Sequence, residues 1–406
     1  PAGRKELVSM VRETRGYPLI AGYRNYPPLD EEELIRCLAG AAALFEQGEG
    51  VVEFDINPLI LYNKGACAVD ARVYREEVSA GATRQRHEFE PSLLSPESIA
   101  VIGASADPGK IGYAVFRNLL TFPGRLYPVN PSHDMMQGKK AYPSVLAIPE
   151  QVDMAVIAVP ARFVPGIMED LGTRGTKIAV IISSGFRETG EKGRLLEQEI
   201  LARARKFGIR IIGPNCLGVI LPHRTLNTTF DPTDPRQGHI AFISQSGAII
   251  TTVTDWSVPE EIGFSAIVSL GNQLDLDVVD FMRFAEKDSE TRAVILYIEE
   301  IRDGAGFLSA VRDISPKKPV IVLKSGSSAI GRKAAMSHTG SLAGDFEVYR
   351  AAFIQAGAIP VYSLREAFDV AELMVSQGYP EGSRAIVITT AGGFAVLASD
   401  YAERFG

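Results

Sequence analysis

The chain contains only three cysteines, Cys37, Cys67 and Cys216. Their spacing fits neither a metal knuckle nor an even disulfide framework, so a reducing, cytoplasmic setting is expected. No run of about eighteen apolar residues occurs, and no membrane span is expected. The opening Pro1-Ala-Gly-Arg-Lys-Glu6 lacks the apolar centre of a signal peptide. Basic runs are missing and the net charge is −7, which argues against nucleic acid as a main partner. Acidity does not exclude anionic ligands, because backbone amides at helix starts bind phosphate without lysines. Histidine is scarce as well, at five residues.

What is present reads as globular. The 406 residues are 46% hydrophobic and 22% charged, enough chain for two to four domains of ordinary size. Three segments share one form, a short apolar run, then small residues, then a helical pattern: Ser98-Ile-Ala-Val-Ile-Gly-Ala-Ser105, His239-Ile-Ala-Phe-Ile-Ser-Gln-Ser-Gly247 and Ala385-Ile-Val-Ile-Thr-Thr-Ala-Gly-Gly393. Further apolar runs lie at Met154 to Val159, Ile178 to Ile182, Arg210 to Ile212, Val294 to Ile298 and Val320 to Leu323, alternating with helical stretches such as Gly193 to Phe207. Continuous apolar strands alternating with helices predict a doubly wound α/β fold on parallel sheets.

The expected boundaries follow from composition. Residues 1–90 form a separate piece with a polar, proline-flanked linker over Arg75 to Pro96; residues 97–225 form a first α/β domain and 238–362 a second; a third begins near Ser383 and holds only one strand and one helix by residue 406. One strand and one helix cannot bury a core, so the chain is read as part of a longer enzyme.

Several segments carry chemistry. His338 lies in Ala334-Ala-Met-Ser-His-Thr-Gly-Ser-Leu-Ala-Gly344, among small residues that would not pin a ring. A neutral imidazole near pH 7 is a nucleophile able to carry a phosphoryl group; an ordinary loop histidine is the bland alternative. Gly103-Ala-Ser-Ala-Asp-Pro-Gly-Lys-Ile-Gly112 is a glycine-rich turn opening a helix, suited to an anion. It is not the dinucleotide pattern G-x-G-x-x-G, and the next strand ends in Pro128-Val-Asn-Pro131 without a ribose-binding acid. Strand ends at Val159-Pro160, Ser183-Ser-Gly-Phe186 and Gly213-Pro-Asn-Cys-Leu-Gly218 predict a groove for a long ligand. Ser244-Gln-Ser-Gly-Ala248 places Ser246 and Gly247 at a helix start that suits phosphate, with a plain N-cap as the alternative. Glu299 and Glu300 follow an apolar strand, where one carboxylate would hold the imidazole and make it more basic. Glu53-Phe-Asp-Ile-Asn-Pro-Leu59 and Val69-Asp-Ala-Arg-Val73 read as paired strands turning at Asn63-Lys-Gly65. Asn57 and Asp70 are then side by side as oxygen donors of the kind that suits Mg²⁺.

Taken together, these motifs resemble the nucleoside-diphosphate-forming acyl-CoA synthetases, the superfamily that includes succinyl-CoA synthetase. The Ser-His-Thr-Gly-Ser-Leu-Ala-Gly run is similar to the phosphohistidine loop of the ADP-forming acetate–CoA ligase branch. The resemblance implies a Rossmann-like CoA-binding domain and flavodoxin-like ligase domains, preceded by the end of an ATP-grasp domain. It implies that His338 carries phosphate and that Glu299, rather than Glu300, stabilises it. Gly103, Ser105, Lys110, Val129, Asn130, Pro131, Ser183 and Ser184 would line the CoA site, Ser246 and Gly247 would hold phosphate, and Asn57 and Asp70 would ligate Mg²⁺ for ATP or ADP. The implied activity interconverts acyl-CoA, ADP and phosphate with a small carboxylic acid, CoA and ATP. The rest of the ATP-grasp domain, in the same or a partner chain, and an oligomer are implied too. Two other readings are a non-catalytic CoA or acyl-CoA-binding regulatory module and a nicotinamide oxidoreductase. The absent dinucleotide pattern weighs against the last.

Overall fold

The computed structural model describes residues 3–47, 50–75, 89–328, 346–380, 382 and 384–405. The loop bearing His338, most of the expected linker, and Ser383 lie outside the described residues. The chain divides into two units, Pro1–His87 and Glu88–Gly406.

In the first unit, helices α1 (Arg4–Arg12), α2 (Tyr17–Ala21) and α3 (Glu31–Gln47) precede strands β1 (Val51–Ile56), β2 (Leu59–Leu61), β3 (Ala66–Ala68) and β4 (Ala71–Arg75). The apolar stripe of α1, Leu7 and Val11, packs on Ile35 of α3. The strands form a nested hairpin: β2 pairs antiparallel with β3 and β1 with β4. Asp30 ties the hairpin turn to the start of α3. Its carboxylate accepts from the Gly65 amide at 2.8 Å and the Glu33 amide at 3.0 Å. Those amides, Gly65 first, hold Asp30 below the usual carboxylate range.

The second unit is built on two sheets. The first contains β5 (Ser98–Ile102), β6 (Arg125–Val129), β9 (Met154–Ile157), β10 (Ile178–Ile181) and β11 (Arg210–Ile212), all parallel; a small hairpin, β7 (Met135–Met136) with β8 (Lys139–Lys140), stands apart. The spatial order is β11-β10-β9-β5-β6. Helices α4 (Ile111–Asn118), α5 (Val164–Thr173) and α6 (Glu191–Phe207) cover it. Alternate residues of each strand feed different clusters. Ala100, Ala155 and Ala179 meet Met168 of α5 and Ile200 of α6, while Val101, Val156 and Val180 join the cluster that holds Phe116 of α4. Burial on both faces is why these strands are continuously apolar.

The second sheet has the order β13-β12-β15-β14-β16-β17-β18. Its strands are β12 (Val219–Leu221), β13 (Leu226–Asn227), β14 (Arg236–Ser244), β15 (Gly263–Ser269), β16 (Ala293–Ile298), β17 (Val320–Lys324) and β18 (Ile359–Val361). Its helices are α7 (Gly247–Ser257), α8 (Val278–Lys287), α9 (Gly304–Ile314), α10 (Phe346–Ala356) and α11 (Leu364–Gln377). The five strands from β14 to β18 are parallel, and β12 and β13 run antiparallel at one edge. Strand β12, which lies within the 97–225 expected for the first α/β domain, therefore pairs in the second sheet. Helix α8 starts on a capping box, with Asp277 accepting from the Val279 amide at 2.9 Å and Asp280 accepting from the Asp277 amide at 2.9 Å.

The third opening differs from expectation. Residues 384–390 carry no strand, and Ile386 and Ile388 are 86% and 93% exposed. No described strand pairs with this segment. The following helix, α12 (Gly392–Phe405), also leaves Phe394, Val396 and Leu397 exposed.

Candidate functional site

In both sheets the strand order reverses at one point. The first of the parallel strands in each, β5 or β14, has the next parallel strand on one side and the one after it on the other. Ligands of open α/β sheets bind outside the carboxyl ends of strands at such a switch point. The described candidate residues of the second unit collect at these two crevices.

In the first sheet the crevice opens between β5 and β9, where the chain leaves β5 at Gly103. That residue has φ +89°, and a Cβ there would stand 2.5 Å from the Ala158 carbonyl oxygen. Glycine is required on both grounds. The Gly103 amide donates to the Val129 carbonyl at 3.0 Å, and the Ala158 amide donates to Ile102 at 2.9 Å, so three strand ends are fixed together. The turn then folds on itself. Ser105 Oγ is buried and accepts from the Asp107 amide at 3.0 Å, and Asp107 accepts from Gly109 at 3.0 Å. Lys110 is exposed at the N-cap of α4, whose first turn lies directly over Gly103.

Asn130, where the sequence has no ribose-binding acid, bonds backbone on two sides. Its Nδ2 donates to the Ala104 carbonyl at 2.8 Å, and its Oδ1 accepts from the Ser132 amide at 2.8 Å. Its side chain ties the end of β6, and Pro131 after it, to the glycine turn. Ser183 does likewise on the other flank, donating to the Val159 carbonyl at 2.5 Å, while Ser184 beside it is exposed. The structure thus brings Gly103, Ser105, Lys110, Val129, Asn130, Pro131, Ser183 and Ser184 to one rim.

The second crevice lies between β14 and β16. Ser246 caps α7, its hydroxyl accepting from the Ile249 amide at 3.4 Å. Capping and anion binding use the same helix end, whose dipole favours negative charge. Gly247 follows in the first turn, where a Cβ would make only ordinary contacts, the nearest 3.6 Å from Leu217. Gln245, between the two serines, is the organising residue, and sequence reasoning gave it no role. Its Oε1 accepts from the amides of Glu299 at 2.7 Å and Glu300 at 2.8 Å, and its Nε2 donates to the Glu300 carbonyl at 2.7 Å. One amide side chain therefore fixes the backbone from which both glutamates project.

The two glutamates then diverge. Glu300 lies 3.6 Å from Arg302 Nε, and Arg302 donates to the carbonyls of Gln273 and Asn272. Glu299 is approached from β17 by Lys324, which donates to the Glu299 carbonyl at 2.9 Å and to the Ser325 carbonyl at 2.8 Å. Burial pushes the Lys324 ammonium below its ordinary value, against the opposing pull of Glu299. Burial, with the Glu299 charge, raises the nearby Tyr297 phenol. Lys324 was also missed on sequence; a lysine closing the apolar run Val320-Ile-Val-Leu-Lys324 was the available signal.

The two crevices are linked through Asn272, whose Nδ2 donates to Glu188 and to Glu197, both at 2.7 Å. Burial raises the carboxyl of Glu197. Burial would raise Glu188 too, but bonds from Asn272, Phe186 and Gly185 outweigh it and hold that carboxyl below its usual range.

In the first unit, Asn57 and Asp70 face each other where the two halves of the hairpin meet, the Asn57 amide donating to the Asp70 carbonyl at 3.1 Å. The Asp70 carboxylate lies 3.7 Å from Arg72.

Comparison with known proteins matches this architecture piece by piece. Residues 97–222 match the CoA binding domain family and residues 237–374 the succinyl-CoA ligase like flavodoxin domain, while residues 1–74 match the ATP-grasp domain. The chain is 48% identical over 321 residues to the alpha subunit of acetate–CoA ligase (ADP-forming) I of Pyrococcus furiosus, which covers 78% of this chain and 70% of that subunit. The chain belongs to the ADP-forming acetate–CoA ligase family. Acetate–CoA ligase (ADP-forming) II of Archaeoglobus fulgidus aligns with 99% of the chain at 40% identity, and the chain spans 60% of its length. The structure of a dinucleotide-forming acetyl-coenzyme A synthetase 1 of Candidatus Korarchaeum cryptofilum, in complex with phosphate and ADP, superposes with a TM-score of 0.74 at 44% identity. It covers 77% of this chain and 68% of that one. No helix among the described residues is long and apolar enough to cross a membrane.

Proposed function

We propose that this chain supplies the CoA-binding and phosphoryl-carrying portion of an ADP-forming acyl-CoA synthetase acting on a small carboxylic acid such as acetate. The observation that carries the reading is the pair of switch-point crevices. One is lined by a glycine turn under a helix start, the other by a helix start opposite a glutamate fixed through Gln245.

In the first step a phosphate oxygen attacks the thioester carbonyl and CoA leaves as the thiolate, giving an acyl phosphate. The imidazole of His338 then attacks phosphorus, and the carboxylate departs. An oxygen of the ADP β-phosphate finally takes the phosphoryl group and frees the imidazole. The α7 start, with Ser246 and Gly247, would hold the transferring phosphoryl oxygens. The Glu299 carboxylate would accept from the second ring nitrogen of His338 and favour the tautomer that attacks. The segment bearing His338 follows β17 directly, and β17 ends at Lys324 beside Glu299. The rim from Gly103 to Ser184 would take CoA, with the α4 start facing its phosphates. The oxygen donors of Asn57 and Asp70 fit Mg²⁺, which commonly takes one or two protein oxygens and keeps its waters. Bound there, the ion would neutralise nucleotide phosphate charge. The remaining ATP-grasp portion, a cytoplasmic setting and an oligomeric assembly complete the proposal.

The test combines the chain with its ATP-grasp portion and labelled ATP. Acid-labile, base-stable label should appear on the wild type and be absent from His338→Asn. Label that persists in the variant, or resists acid, would overturn the assignment.

A further inference from the structure

A second cluster of ligating side chains lies at the other end of β14. His223, His239 and Glu290 each present one ligand atom, and these atoms lie within 4.8 Å of one another. His239 is five residues before Ser244 on one strand, so the cluster stands roughly 16 Å from the phosphoryl crevice. Three separate segments contribute: the turn after β12, the start of β14, and the connection from α8 to β16. The register of β14 shifts between Gln237 and Ile240, an irregularity that contains His239. Such bulges re-aim a side chain.

The hydrogen bonds determine which ring nitrogens remain for a ligand. His223 Nε2 meets the Gly238 carbonyl oxygen at 2.8 Å, and His239 Nδ1 meets the Glu290 carbonyl oxygen at 2.8 Å. A carbonyl only accepts, so each of these nitrogens carries the proton. In the neutral rings the lone pairs then reside on His223 Nδ1 and His239 Nε2. This is the outer arrangement of metal-bound histidines, whose second nitrogen donates to a carbonyl that fixes ring and tautomer. His223 Nδ1 lies 3.7 Å from Glu290 Oε2. Ligand atoms around a tetrahedral zinc sit about 3.4 Å apart, given bonds of about 2.1 Å. A contraction of a few tenths of an ångström at this pair suffices. The rings are stacked at 6.1 Å with 22° between planes. Neighbouring cations are committed elsewhere: Arg224 to Asp288 at 3.3 Å and Arg236 to Glu261 at 3.0 Å.

We propose that His223, His239 and Glu290 form a binding site for a divalent cation of the zinc class, distinct from the phosphoryl-transfer chemistry, that clasps the β12, β14 and β16 segments at the amino-terminal pole of the sheet. Two neutral imidazoles and one carboxylate are a zinc donor set with a fourth position left for water. Mg²⁺, which prefers oxygen, is disfavoured.

The test titrates metal-free full chain with Zn²⁺ against a chromophoric chelator, and repeats it with Co²⁺ to read the visible bands of a tetrahedral site. One equivalent should bind. His239→Gln and Glu290→Gln should each weaken it about 10- to 100-fold, with apo melting curves like the wild type. His133→Gln and His338→Asn serve as controls and should bind as the wild type does. Failure to compete with the chelator, unchanged affinity in both cluster variants, or loss of binding in a control instead would overturn the site. Should one cluster variant fail to fold, the other decides.

Discussion

Replacing Gly112 with alanine places a Cβ 1.9 Å from the Gly103 carbonyl oxygen, 2.9 Å from the Gly103 carbonyl carbon and 3.4 Å from Ala104 Cα. These are backbone atoms, so no side chain can swing away. Non-bonded contacts settle near 3.5 Å, and the start of α4 would have to retreat by roughly 1.5 Å. Overpacking of this kind costs about 1–3 kcal/mol, while the better helix propensity of alanine returns at most ~1 kcal/mol. The net loss is about 1–2 kcal/mol, a fall in Tm of roughly 2–8 °C. Gly166 in α5 is the matched control, because its Cβ would meet nothing within 4 Å. There the same substitution should stabilise by about 0.5–1 kcal/mol, through helix propensity and a less free unfolded chain. Calorimetric melting of both variants, with CoA titration by isothermal calorimetry, reads the pair. Gly112→Ala should lower Tm and weaken CoA at least tenfold, about 1.4 kcal/mol, while Gly166→Ala raises Tm and leaves CoA binding unchanged. If both variants rise in Tm, or Gly112→Ala binds CoA normally, the packing of α4 over Gly103 is not what shapes the turn.

Gln245→Ala removes the partner of two amides and a carbonyl at the end of β16. It should cost about 2–3 kcal/mol in chemical denaturation and slow formation of the acid-labile phosphoenzyme more than tenfold; unchanged labelling would refute the clamp. Glu197 has its carboxyl raised by burial, so the folded state holds its proton more tightly than the unfolded chain. Wild-type stability is then lost as pH rises from the ordinary carboxylate range through the raised value. Glu197→Gln should gain on the wild type over that window, by about 1.4 kcal/mol for every tenfold by which folding weakens the acid, and a pH-independent difference in denaturation midpoint would count against it. Cys216 is buried and its thiol is pushed up to about 12. A thiol reagent should label exposed Cys67 rapidly and Cys216 only on unfolding, and fast labelling of both would contradict the burial.

Local pattern was enough to find the strands of the first sheet and β14, β16 and β17 of the second, while β12, β13, β15 and β18 were not read from it. Apolar runs such as Ser98 to Ile102 and Val320 to Lys324 became strands because covered parallel strands need apolar residues on both faces. The glycine turn at Gly103 was legible for a similar reason, since only glycine tolerates its φ and its contacts. Residues 384–390 have the same composition, and no described strand pairs with them.

Strand order was not written in any local window. The reversal that sets β14 between β15 and β16 brings Gln245 onto the Glu299–Glu300 backbone, 54 and 55 residues away in sequence. The same long-range pairing put Val219 to Leu221 in the second sheet and aligned His223, His239 and Glu290. The sequence by itself determined which residue types have the chemistry to bind phosphate, carry it or pack a covered strand, because those properties belong to single side chains and short periods. Only the tertiary structure decided which of them share a crevice, because hydrogen-bond partners and desolvation depend on segments the chain brings together from far apart.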